Sequence, residues 1–151
     1  MSSWRETTSL QAQTDLDGLV GAALGFAQQQ LAAHGEFFPF AAAVDANGTA
    51  ELMSARPNLH DEHPAAAAVF DACVTTLRSK RTEIRAGAIV SDVRLHERGV
   101  SDAIQVELEH VEGPALTVIL PYAKASHGNI DHAPIRAQAG QHRIWNNKSK
   151  Q

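Results

Sequence analysis

The chain has 151 residues, 44% hydrophobic and 20% charged: long enough for one domain with a real core, and too apolar for wholesale disorder. Its formal net charge of -4 leaves no basic excess to displace nucleic-acid counterions, and its single cysteine excludes an intrachain disulfide. No apolar run reaches membrane-spanning length, so a soluble, cytoplasmic chain is expected, with neither nucleic acid nor membrane as partner.

A polar arm, residues 1–13, precedes the first predicted element. Thr14 or Asp15 can cap a helix whose apolar positions Leu16, Leu19, Val20, Ala23, Leu24, Ala27 and Leu31 recur at spacings of three and four. His34 and Gly35 end it, a cation in the last turn followed by the residue best suited to a left-handed cap. The next stretch, GEFFPFAAAVDANG (residues 35–48), reads as a helix end feeding a strand over 40–45. Asp45-Ala46-Asn47-Gly48 then turns the chain into a return strand near 49–54.

A polar loop over 55–63 leads to a second helix opening at His63-Pro64. Its stripe is Ala66, Val69, Phe70, Cys73, Val74 and Leu77, and it is expected to run to about Ile84. The basic residues Arg78, Lys80, Arg81 and Arg85 complement its C-terminus. Three strands follow, over 86–95, 102–111 and 115–122. The middle one alternates Ile104, Val106 and Leu108 with Gln105, Glu107 and Glu109, and His110 falls by parity on the buried side. ALTVILPY, the most apolar strand, is expected to lie centrally. The tail, 123–151, has no period, although Ile135, Ile144 and Trp145 suggest that it folds back.

The expected fold is therefore α+β, in the order α-β-β-α-β-β-β. It comprises a five-stranded antiparallel sheet with two helices on one face, a single domain over 14–122, and an irregular tail packing back.

GEFFPFAAAVDANG together with VELEHVEGPALTVILPY resembles a family of small uncharacterised bacterial proteins, in a GEF-x-PF hairpin entry and a VELEH…G…LPY closing hairpin. The likeness runs from the first helix to Tyr122 and implies no activity or catalytic residue. In element order the chain is also similar to roadblock and profilin-like modules, small scaffolds that dimerise and hold protein partners. It departs from the roadblock pattern in showing no clear C-terminal helix.

His60, Asp61, Glu62 and His63 have the donor types for zinc or another divalent ion, and His127, Asp131 and His132 in the tail make a second candidate. Against this, the spacing is nonspecific, and Asp61 and Glu62 equally suit the positive end of the following helix. Asp92, Glu107 and Glu109 on neighbouring strands could share a polar face, as strand-borne acids do around Mg²⁺ in nucleases, or form a solvated face. Cys73, within an apolar stripe, reads as a buried inert thiol. Phosphate-loop, GxGxxG, GxSxG, HExxH and CxxC signatures are absent.

The favoured expectation is a non-enzymatic protein–protein interaction module, self-associating as a homodimer and needing no cofactor. Its contacts would be Phe37, Phe38 and Phe40 with the Ala88/Val90 side of the third strand. The alternative is a metal-binding protein or metal-dependent hydrolase built on His60, Asp61, Glu62 and His63. An immunity or antitoxin-like inhibitor, using acidic charge against a basic enzyme, comes third.

Overall fold

A computed structural model of the chain describes residues 8–55, 65–97, 100–124 and 130–145. Helix α1 (Leu10–His34) begins ahead of its apolar stripe because Ser9 caps it, the Ser9 Oγ accepting the Ala12 N–H at 3.1 Å. Asp15, expected near the cap, is instead an interior helical residue with a buried side chain. At the far end Gly35 takes the left-handed conformation (φ 78°) and returns its N–H to the Leu31 carbonyl at 2.8 Å.

Strands β1 (Phe40–Asp45) and β2 (Ala50–Met53) form the predicted hairpin. Its turn is fastened by Asp45 Oδ1, which accepts the N–H of Asn47 at 2.8 Å and of Thr49 at 3.0 Å. Helix α2 (Ala66–Ser79) stops short of the expected end: turns over 80–83 carry the chain into β3 (Ile84–Glu97), so Ile84 belongs to a strand. Strands β4 (Val100–His110) and β5 (Ala115–Lys124) complete the central run.

The tail is not wholly irregular. Strands β6 (Ile130–His132) and β7 (Arg136–Ala139) both pair antiparallel with the outer edge of β5, which makes a seven-stranded sheet in place of five. The path is β2-β1-β3-β4-β5-β6, so β3 and β4 hold the middle. Neither tail strand has an alternating apolar pattern, because main-chain bonds to β5 hold segments that bury almost no side chain.

The two helices do not share a face. Leu16, Leu19, Ala23, Ala27 and Leu31 of α1 pack on Ala42, Val44, Ala88, Val90, Ile104, Val106 and Leu108. Cys73 and Leu77 of α2 pack on Ala41, Ala43 and Ile89, the alternate residues of the same strands. The expectation of two helices on one side fails because a one-sided stripe shows that a helix covers something, and does not show which side of a sheet it covers. The Ala88/Val90 side is also closed: both residues lie beneath α1, fully buried.

The pairing of β1 with β3 is broken at a single point. Its register shifts between Val44 and Asp45, which pair with Ala86 and Ile84, so Arg85 is an extra residue in β3. The bulge leaves Ile84 in the α2 core while the Arg85 guanidinium reaches the α1 side.

Gly140 closes β7 against β5. A Cβ there would stand 2.6 Å from the Leu116 carbonyl carbon and 2.9 Å from its nitrogen, backbone atoms that cannot rotate away. Gly140→Ala is expected to lower stability by about 1–3 kcal/mol. The readouts are a lower urea midpoint and faster amide exchange over 136–139.

Candidate functional site

Where α1 ends, the GEFFPF segment leads directly into β1. An open cleft of about 690 Å³ lies between the last turns of α1, this segment, the end of β2, the first turns of α2 and Asp92 of β3. Its apolar lining comes chiefly from Phe26, Phe37, Phe38, Phe40 and Val69, its polar lining from Gln30, His34, Glu36, Ser54 and Asp92. The volume falls within the usual range for a binding site, about 300–1,000 Å³.

The three rings singled out in the sequence have different environments. Phe40 is buried, meeting Phe26 edge-on at 5.0 Å between ring centres and Phe37 at 5.7 Å. Phe37 is half-buried against the same core. Only Phe38 stands out, 55% exposed at the cleft rim.

The strand acids do not share a face. Asp92 sits opposite Ile104, on the α1 side, whereas Glu107 and Glu109 sit opposite Ile89 and Gly87, on the α2 side. Asp92 accepts the Tyr122 hydroxyl at 2.6 Å. Burial first, and then the bond and charge of Asp92, push that phenol well above its ordinary range.

Two buried acids are engaged elsewhere. Asp15 joins α1 to the sheet: its Oδ1 accepts from Arg85 at 2.7 Å and its Oδ2 meets His110 Nε2 at 2.9 Å. His110 Nδ1 accepts the Glu112 N–H at 3.1 Å, which assigns the imidazole proton to Nε2 and makes His110 a donor to Asp15. Glu109, 2% exposed, accepts three successive backbone N–H groups, of Arg143, Ile144 and Trp145, each at 2.8 Å. Ile144 is buried and Trp145 half-buried in this arrangement, while Ile135 stays exposed.

Of the expected metal ligands, His60, Asp61, Glu62, His63 and His127 lie outside the described residues. Asp131 and His132 are exposed on β6, the His132 ring 6.5 Å from that of Tyr122. Among the described residues no group of three or more His, Cys, Asp or Glu is placed to hold a metal ion. No described helix is long and apolar enough to cross a membrane.

Sequence reasoning missed the partnership of Asp15, Arg85 and His110. Its signals were an acid directly before Leu16, the first position of the predicted stripe, and a histidine on the buried parity of β4. Comparison with known proteins finds no matching protein family, no matching curated protein and no matching solved structure.

Asp15→Ala would leave both Arg85 and His110 without their acid, and is expected to cost about 3–5 kcal/mol in urea unfolding. Cys73 is fully buried on the inner side of α2, and burial pushes its thiol up from 9.0 to about 11. Because the fold favours the neutral thiol, that contribution to stability is whole below pH 9.0 and fades as pH climbs towards 11. At pH 8, iodoacetamide should label Cys73 no faster than the chain unfolds; rapid labelling of folded protein would contradict this burial.

Proposed function

We propose that this chain is a non-enzymatic protein–protein interaction module that self-associates as a homodimer, with the cleft at the end of α1 as its contact. The observation that carries the reading is Phe38, 55% exposed at the rim of a recess whose other rings are buried or half-buried. Single apolar residues on a surface are ordinary, but an exposed aromatic beside an apolar recess has the make-up of an interface anchor.

The use of the buried polar groups supports the same reading. Asp15, His110 and Glu109 are engaged in bonds that hold a helix and the tail to the sheet. Tyr122 is likewise tied to Asp92. With Ala88 and Val90 beneath α1, the contact falls to the cleft alone. The similarity in element order to dimerising roadblock and profilin-like scaffolds agrees with such a role. A roadblock-type dimer is not the expected geometry, since the described chain beyond β5 continues as strands β6 and β7.

Light scattering from micromolar to millimolar protein tests the proposal. The wild-type chain is expected at twice 16.2 kDa. Phe38→Ala should weaken association at least about tenfold while shifting stability by no more than about 0.5 kcal/mol. A wild-type monomer across that range would overturn the homodimer.

A further inference from the structure

The cleft at the end of α1 is one-sided in charge. Its described lining residues include two carboxylates, Glu36 and Asp92, and no lysine or arginine, although the chain has 13 of these. His34 is the one described lining residue that can turn positive. Asp92 is half-buried, and its Oδ1 accepts the Tyr122 hydroxyl at 2.6 Å. That donor is neutral, so the bond fixes the carboxylate without cancelling its charge. The charged groups that act on Tyr122 are Asp92, Asp102 and Arg94, two acids to one base, so this corner stays negative on balance.

The apolar part of the lining is largely aromatic. Phe26, Phe37, Phe38 and Phe40 all line the cleft, with the Phe26 and Phe37 rings at 85° and 57° to that of Phe40. A phenylalanine face carries negative charge density, which attracts a cation within about 6 Å of the ring centre. An anion would meet two carboxylates here. A bare metal ion requires several ligands at bonding distance, and among the described residues no group of three or more His, Cys, Asp or Glu is so placed. A neutral apolar molecule would use the rings and waste the acids. The ligand that uses both is an organic cation.

We propose that this cleft binds a small organic ammonium ion, its charge matched by Glu36 and Asp92 and its apolar body by the phenylalanines. The inference goes beyond the homodimer, because binding requires no second copy. Only competition between the cation and a second copy rests on that reading.

Three probes that share a phenyl ring test it: benzyltrimethylammonium, benzyl alcohol and phenylacetate, which are positive, neutral and negative. Each is titrated at pH 8 into the full-length chain at micromolar concentration and followed by ligand-observed NMR, with light scattering on the same samples. Phe38→Ala supplies the monomer if the wild-type chain stays dimeric on dilution. The cation is expected to bind with a dissociation constant of about 1 mM or below. It should bind at least about tenfold more tightly than either other probe. Asp92→Asn, which keeps an acceptor for Tyr122, and Glu36→Gln, at an exposed position, should each weaken the cation about three- to tenfold and leave benzyl alcohol unchanged. Equal binding of the three probes, or a cation affinity indifferent to both substitutions, overturns the proposal. Cation binding to a 16.2 kDa species upholds it even if the homodimer fails. No binding to that species overturns it, whether or not more concentrated protein dimerises.

Discussion

Strand β1 is pressed between two helices, and much of the architecture follows from that constraint. Ala41, Ala42 and Ala43 are all essentially inaccessible, Ala42 facing α1 and its two neighbours facing α2. Small side chains on a strand covered twice let both helices come close to the sheet. The long α1 extends from there across β3 and β4, while the shorter α2 packs on β1 and β3. The α2 side of β4 is left to residues 143–145, so the tail finishes a layer that α2 does not reach.

The charges inside the molecule act as fasteners. Asp15 ties the first helix to a bulged arginine of β3 and a histidine of β4, groups 70 and 95 residues away in the chain. Glu109 ties β4 to residues 34–36 positions onward. An acid in such a place is tolerable only when its lone pairs are met, and each of these is met by two or three donors. The two fasteners work on opposite sides of the sheet, so neither substitutes for the other.

The legible part of this fold was local. Gly35, the Asp45–Gly48 turn and the span of β1 follow from cap and turn chemistry that involves only near neighbours. The placement of the helices was less legible, yet a clue lay in FAAAV. A strand with no alternation is apolar on both sides, and therefore has cover on both. The bulge at Arg85 breaks parity by one residue without a glycine or proline to mark it. Strands β6 and β7 escaped notice because they are held by backbone bonds, to which side-chain patterns are silent. At the candidate cleft, GEFFPF was conspicuous as text, but only tertiary packing separates the Phe38 ring from the two that belong to the core.

The outer margin of β5 is sheathed in two instalments, Leu116–Ile119 by β7 and Tyr122–Lys124 by β6. Between them Pro121 offers a carbonyl to the Ala133 N–H. Beneath that sheath runs LTVILPY, among the greasiest ribbons in the chain and rich in β-branched residues. Shorn of its last twenty-odd residues, the molecule would bare a long, flat, uncharged selvedge of the kind that zips onto its own kind without limit. On this view the segment that meets the Glu109 carboxylate also keeps a bare strand margin from pairing outward.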